Sequence, residues 1–362
     1  MLTTKSIKYR IYPSKSQIHL LNNTLEGCRL YYNHLLSQRK DGWERYQKYF
    51  TCFEQQKLNK NFIDKTKYDI YAQVIQNVAV RIDLAFKAFF RRLKNGEKPG
   101  YPRFKSYGRY DSFTYPQRGW KIEEKNISLP KFGKIKSVIH KSIDGKIKTC
   151  TIKKEADKWY VIFVYETEYN EINPETDESV GIDVGLSNFA VFSDDTIITN
   201  PRFFKEEENK IAKLQSRRDK TKNKKLNKAI QKRHNKIKNK RKDFCHKLSR
   251  KIVNKYSKIF VEDININTMK EDMKYLSKSI NDASWNLFIN NLIYKAEDAG
   301  RVIKLVNPAY TSQDCSNCSY RVKKKLSERI HNCPNCGLSI DRDLNAAKNI
   351  LRIGLYSLGE NP

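Results

Sequence analysis

Between Ser6 and Tyr12 the apolar residues Ile7, Tyr9 and Ile11 alternate with polar neighbours, the two-residue period of a half-buried strand. Pro13 ends that period, and Ser14 followed three residues later by Gln17 makes a capping box that opens a helix. The apolar spacing then becomes helical, with Ile18, Leu21, Leu25, Cys28, Tyr32 and Leu35 on one face. A second long helix carries Tyr71, Val74, Val78, Ile82, Ala85 and Phe89 and is expected to stop at Gly96. Residues 13–97 therefore read as a helical block inserted after one strand.

From Pro99 the texture changes to GYPRFKSYGRYDSFTYP, with aromatics interleaved among Arg and Lys. Short strands are predicted over 121–129, 133–140, 146–152 and 159–165, with Asp144-Gly145 as a hairpin turn. Strands so evenly spaced suggest a small β-barrel that residues 6–12 complete. A linker rich in Asn, Glu and Pro follows over 170–177. At Val180 a new domain begins with VGIDVGLSNFAVFSDDTIITN, read as three short strands with turns at Gly185-Leu186 and Asp194-Asp195. A long helical stretch over 205–252 keeps Ile230, Ile237, Phe244, Leu248 and Ile252 in register. A strand (258–262), an amphipathic helix (Trp285, Phe288, Leu292, Lys295), a strand (302–306) and a last helix from Asp343 complete the order.

Charge sharpens this picture. The 362 residues hold 71 Lys and Arg against 40 Asp and Glu, a formal net charge of +31. Self-repulsion on that scale adds nothing to folding, so a polyanionic partner is expected. Residues 205–252 contribute 20 Lys or Arg against five Asp or Glu, too one-sided for a merely solvated helix face. No apolar run approaches the ~18 residues of a membrane span. The basic segments have no strongly apolar opposite face, which favours nucleic acid over a membrane surface. The N-terminus has no apolar signal core, so the protein is expected in the cytoplasm. Cys28, Cys52, Cys150 and Cys245 are scattered singly and read as reduced thiols.

The remaining cysteines, Cys315, Cys318, Cys333 and Cys336, form two C-x-x-C knuckles with the number and spacing of a closed zinc site. Nearby His331 is expected at the surface, because four thiolates already complete a tetrahedron. Three acids stand where acids are locally awkward: Asp183 inside the apolar strand GIDVG, Glu262 at the end of KIFVE, and Asp343 at the opening of the last helix. A single acid at a strand end most often caps a turn; three in this element order, framing a zinc module, point to a shared site. The glycines around Asp183 would admit a phosphate backbone. Asp263 should face away from Glu262, and Asp341 is read as a helix cap. Clustered carboxylates repel unless cations neutralise them, and hard oxygen ligands suit Mg²⁺ or Mn²⁺. Two such ions could drive phosphodiester hydrolysis.

The segments GIDVGLSNFAVF, KIFVEDININTM, SWNLFINNLIYKAEDAG, NPAYTSQDCSNC, CPNCG and DRDLNAAKNI, with IKYRIYPSKSQ and the GYPRFKS…DSFTYP box, resemble the transposon-encoded TnpB (OrfB) proteins, relatives of compact type V CRISPR effectors. The resemblance spans nearly the whole chain and is most specific in its C-terminal half. It implies an α/β RNase H-like (RuvC) nuclease domain over 178–309 and 341–355, with catalytic Asp183, Glu262 and Asp343 and an inserted zinc ribbon over 310–340. It also implies an all-β barrel (wedge) over 1–12 and 98–170 that carries a helical recognition bundle over 13–97. The implied function is a Mg²⁺-dependent, RNA-guided DNA endonuclease that supports transposon maintenance. Its partners would be a guide RNA from the transposon end and a double-stranded DNA target, and a monomer is expected. The alternative is a non-catalytic nucleic-acid-binding accessory or regulator of transposition. Amide and hydroxyl groups suit base edges, which nominates Tyr71, Gln73, Gln76, Ser112 and Thr114 as readers of a duplex motif. Arg103, Lys105, Arg217, Arg218, Lys224, Lys225, Lys232 and Arg233 are the nominated backbone contacts. Two departures from the family pattern are Ser319 after the first knuckle, where glycine is usual, and Ser187 where lysine is common.

Overall fold

In the computed structural model the opening alternation forms strand β1 (Leu2–Tyr12), which begins four residues before its sequence signature. The structure describes residues 2–57, 61–62, 68–117, 119–168, 176–223, 225–325 and 328–360, and the chain divides into two compact units, 1–169 and 170–362. In the first unit the capping box is formed as read: Ser14 Oγ accepts from the Gln17 N–H, and Gln17 Oε1 accepts from the Ser14 N–H. It opens helix α1 (Lys15–Tyr46), which is followed by the short α2 (Cys52–Lys57) and by α3 (Ala72–Lys94). Gly96, at φ +69°, closes α3 in the left-handed region.

Strands β2 (Ser112–Tyr115), β3 (Lys121–Ile122), β4 (Asn126–Leu129), β5 (Gly133–Val138), β6 (Lys146–Glu155) and β7 (Lys158–Glu168) join β1 in one antiparallel sheet of order β2-β6-β7-β1-β5-β4-β3. Two expectations change here. The strand expected over 121–129 is a β3–β4 hairpin, and Asp144-Gly145 does not turn a hairpin, because β1 and β7 lie between β5 and β6. Gly145 is needed for a different reason: a Cβ there would stand 2.1 Å from the carbonyl oxygen of Glu166 on β7. The expected barrel is a curled sheet whose far ends meet through side chains, with Tyr115 of β2 donating to the Pro130 carbonyl at 3.0 Å. Buried residues of α1, α3 and the sheet (Leu21, Tyr31, Val78, Ile82, Tyr9 and Phe163 among them) share one core.

The second unit is built on a five-stranded sheet of order β10-β9-β8-β11-β12, where β8 is Ser179–Val184, β9 Asn188–Phe192, β10 Ile197–Thr199, β11 Lys258–Glu262 and β12 Val302–Val306. The pairs β8–β11 and β11–β12 are parallel, while β9 and β10 run antiparallel. Of the expected linker, residues 170–175 lie outside the described residues. The basic stretch is two helices rather than one, α4 (Phe203–Thr221) and α5 (Lys225–Lys255), interrupted at Lys222 with φ 48°. They fold back on each other around Ile211, Ile230 and Ile237. Next come α6 (Ile266–Asp272), α7 (Ser277–Ala283) and α8 (Trp285–Asp298), then the short strands β13 (Ile330–Asn332) and β14 (Ser339–Asp341), and α9 (Arg342–Tyr356). No described helix is long and apolar enough to cross a membrane.

Strand alternation divides this sheet into two faces. Val180, Ile182, Ile259 and Val261 pack with Val253 of α5 and with Trp285, Phe288 and Leu292 of α8. Phe260, one residue out of phase, packs with Val306 and with Ile350 of α9. That second face is where the acids stand.

Candidate active site and metal centre

Gly181 and Asp183 are two residues apart on β8, so they share a face, and Phe260 and Glu262 do the same on β11. The β8–β11 ladder ends with Ile182 opposite Val261, which makes Asp183 and Glu262 the next residue on each strand. Both glycine contacts identify what covers that face. A Cβ on Gly181 would meet the backbone of α9, 2.2 Å from the Ala347 carbonyl oxygen, and a Cβ on Gly354 of α9 would enter the Phe260 ring. The sequence reading gave the glycine beside Asp183 to a phosphate backbone; at Gly181 the close approach belongs to helix α9. Its purpose is to let α9 lie flush on the sheet and bring its first turn to the acids.

Asp341 caps that turn, accepting from the N–H groups of Asp343 and Leu344 at 2.8 and 3.1 Å. Asp343 is thereby fixed one residue inside the helix, where the dipole favours a carboxylate. Arg342 lies 3.3 Å and Arg329 3.8 Å from its oxygens. The charges interact. Burial, then Glu262 and Asp343, push the Asp183 carboxyl well above its ordinary range. Burial and Asp343 raise Glu262 as well, against a lowering hydrogen bond from Thr311. The three carboxylates sense one another without forming a closed ligand set: among the described residues, the four cysteines are the group whose ligand atoms all lie within 4.8 Å.

Sequence reasoning passed over Thr311. Its hydroxyl donates to Glu262 Oε1 at 2.5 Å, and its carbonyl accepts from Asn349 of α9. Asn349 also reaches the Asp314 carbonyl, while Asn345 accepts from the Ser316 N–H at 2.9 Å. Asn345 and Asn349 are both buried and one helical turn apart, so α9 holds the loop that enters the first knuckle. The signal available in sequence was two asparagines four apart on an otherwise apolar helix face.

In the tetracysteine cluster Sγ of Cys315 and Cys336 are 3.6 Å apart, and those of Cys318 and Cys333 are 3.5 Å apart. A tetrahedron with ~2.3 Å metal–sulfur bonds has edges of about 3.8 Å, so the donor set fits zinc. The Asn335 amide pulls the Cys318 thiol down to about 6, which favours the thiolate a metal needs. Ser319 and Gly337 take the same left-handed conformation, φ 62° and 75°, so the serine does not alter the first turn. Arg352 anchors its hydroxyl at 2.7 Å. His331 differs from expectation: it is fully buried, with Lys324 against Nδ1 and Nε2 lacking a hydrogen-bond partner. The hairpin β13–β14 turns its ring inward because the alternate positions, Ile330 and Asn332, face solvent.

The nominated nucleic-acid contacts separate into two groups. Ser112 and Thr114 already have partners, since Arg81 of α3 donates to the Ser112 carbonyl at 2.6 Å and to the Thr114 hydroxyl at 2.8 Å. Gln73 bonds Gln117 at 3.3 Å and Tyr71 packs on Tyr115, while Gln76 is exposed. Lys105 lies over the Tyr32 ring, and Arg103 is exposed. Arg233 is bound to Glu207 at 2.5 Å and Arg218 to Asp219 at 2.8 Å. Arg217, Lys225 and Lys232 are exposed, and Lys224 lies outside the described residues.

Three family models match in sequence: a helix-turn-helix domain of the OrfB_IS605 type over residues 1–48, an OrfB_IS605 "Probable transposase" over 162–273, and a Cas12f1-like TNB domain over 285–350. The described residues of that span, 2–48, fold here as one strand and one continuous helix. An Escherichia coli (strain K12) protein named "Putative RNA-guided DNA endonuclease InsQ" is 28% identical, covering 98% of this chain and 93% of its own. A Streptomyces pristinaespiralis protein of the same description is 28% identical over 97% of this chain and 89% of its own. In three dimensions the chain resembles the protein of a Cas12f1–sgRNA–target DNA complex, with a TM-score of 0.58 and 15% identity over 96% of this chain and 98% of that one. With its N-terminal, central and C-terminal segments matched in family order and its near-full-length relatives in hand, the chain belongs to the TnpB (OrfB) family, related to the compact type V effectors.

Proposed function

We propose that this protein is an RNA-guided DNA endonuclease of an IS605-type transposon, acting through a RuvC-like site on Asp183, Glu262 and Asp343 and supporting persistence of the element. The observation that carries the reading is the meeting of these three carboxylates on the sheet face covered by α9, with Asp183 and Glu262 held above their ordinary ionisation range. Carboxyl groups perturbed by burial and by one another in this way point to a functional site. The order β10-β9-β8-β11-β12 supports an RNase H-like domain, and the names of the near-full-length relatives support guide RNA and DNA as partners.

Carboxylate oxygens are the donor type Mg²⁺ or Mn²⁺ takes, and Asp183, Glu262 and Asp343 would hold two such ions. When bound, they supply the Lewis acidity that lets water attack a phosphodiester and the 3′ oxygen leave. The chain does the rest. Thr311 fixes the orientation of Glu262, and Arg342 and Arg329 steady Asp343. Asp183 and Glu262 must shed protons to act as ligands, so activity should climb with pH. Zinc on Cys315, Cys318, Cys333 and Cys336 is structural in this reading, with no position left for water. The α4–α5 helices hold the guide RNA, and residues 1–12 with 98–170, carrying 13–97, serve as the wedge and recognition region.

The test is cleavage of a guide-matched DNA duplex by RNA-loaded protein in Mg²⁺. Cutting that disappears in Asp183→Asn, with RNA binding intact, supports the endonuclease. Guide-dependent binding without cutting under any Mg²⁺ or Mn²⁺ condition would leave the non-catalytic regulator as the correct reading.

A further inference from the structure

A cleft of about 360 Å³ opens next to the carboxylates, with Ser187, Arg202, Lys205, Ser279, Asp282 and Arg329 in its wall. Arg329 belongs to both places, because its guanidinium is also the one 3.8 Å from Asp343. The acid in this wall is already neutralised. Asp282 accepts from Arg241 at 2.6 Å and from the Phe204 N–H at 2.9 Å. The acids of α4 are engaged as well: Glu206 with Lys240, Glu207 with Arg233 and Glu208 with Lys278. Arg202 and Lys205 come from the same stretch, yet both are exposed and have no carboxylate partner among the described residues.

Their position is fixed. Arg202 sits in the left-handed region at φ 46°, uncommon for a side chain of its size, with its N–H on Asn200 Oδ1. The Asn200 amide in turn donates to the Leu186 carbonyl at 3.0 Å, in the loop directly after the strand of Asp183. A polar cleft with three cations and a compensated acid calls for an anion. Its volume is at the low end for small-ligand sites, room for one sugar-phosphate unit and far too little for a duplex.

We propose that Arg202 and Lys205, backed by Arg329, grip the phosphodiester next to the one being cut in a single DNA strand, so that the scissile phosphate lies against Asp183, Glu262 and Asp343. This rests on the endonuclease reading. Arg202 and Lys205 are positioning residues, since they hold a phosphate that does not react.

The experiment compares wild type, Arg202→Gln/Lys205→Gln and Arg202→Lys/Lys205→Arg, each loaded with guide RNA and already bound to DNA, in single-turnover cleavage. The substrates are normal DNA and DNA with one neutral methylphosphonate walked through the phosphates flanking the cut. The Gln pair should cut about ten- to hundredfold more slowly at unchanged RNA and DNA binding, and the charge-keeping pair should recover most of the rate. At one flanking position the methylphosphonate should slow wild type by a similar factor and the Gln pair no further, because both changes break the same contact. Equal rates in wild type and the Gln pair would overturn the proposal, as would additive losses at every flanking phosphate, or a loss of guide-RNA binding in place of the rate. A wild-type protein that never cuts would instead overturn the endonuclease reading beneath it.

Discussion

The carbonyl oxygen of Ala347 lies where a Cβ on Gly181 would come within 2.2 Å of it. Strand and helix backbones cannot both stay in place if that position gains a methyl group. Gly181→Ala should therefore lower stability by about 1–3 kcal/mol in urea unfolding and abolish cleavage, although every carboxylate remains. A variant as stable and active as wild type would mean that α9 need not lie flush on β8.

Asp183 and Glu262 are raised above the value of about 4 at which such acids ionise in an unfolded chain. Between those values the folded form keeps protons that the unfolded form has lost, so stability falls as pH rises from about 4 through their folded values. Asp183→Asn removes one such group. In magnesium-free buffer its melting temperature should exceed that of wild type at pH 8, with the gap closing toward pH 4, while cleavage is lost. A variant that melts below wild type at pH 8 would contradict the repulsion argument.

Thr311→Val deletes the hydroxyl on Glu262 and keeps the side-chain shape. Cleavage should slow about ten- to hundredfold, the usual consequence of losing a ligand's orienting partner, and Thr311→Ser should restore most of it. Mg²⁺ titration of the rate is the measurement, with the Val variant expected to need more metal.

Cys333→Ser should lose zinc, measured by elemental analysis, and melt earlier than wild type. Asn345→Ala loosens the module's hold on α9 without touching a thiolate, because its bonds go to the Ser316 N–H and the Asp314 carbonyl while those of Asn349 remain. It should retain zinc and still cut slowly. If Asn345→Ala also lost its zinc, the asparagine would be part of the metal site's own support.

Exposed lysines of the basic helices should govern RNA affinity. Changing Lys225, Lys228, Lys232, Lys236 and Lys238 to Gln should weaken RNA binding at moderate salt and flatten the plot of log affinity against log salt, with each lost phosphate contact lowering the slope by about 0.7–0.9. An unchanged slope would move the RNA elsewhere on the protein.

Local patterns were legible in the sequence. The capping box at Ser14 and Gln17, the strand periods and the buried faces of α1 and α3 depend on neighbours a few residues away, and the structure has them. Long-range geometry was not. Asp144-Gly145 has good turn chemistry, but β1 takes the place beside β5, and no local signal announces that pairing. The convergence of the acids was readable from strand ends and element order, whereas the partner of Gly181 was not, because a glycine says only that something comes close. Thr311 left no periodic trace, and its role depends on a contact with a strand far back in the chain. The burial of His331 follows from which side of a three-residue strand faces inward, a choice too short to read from alternation.

Helix α9 is the last described helix, and it covers the face that holds two acids made much earlier. During synthesis β8 and β11 leave the ribosome with that face bare, and the carboxylate trio stays incomplete until Asp343 and the helix behind it have emerged and packed. By then both basic helices and all four cysteines have already been made. The order of translation therefore leaves the carboxylate site incomplete until the last described helix has emerged, long after the strands that carry its first two acids.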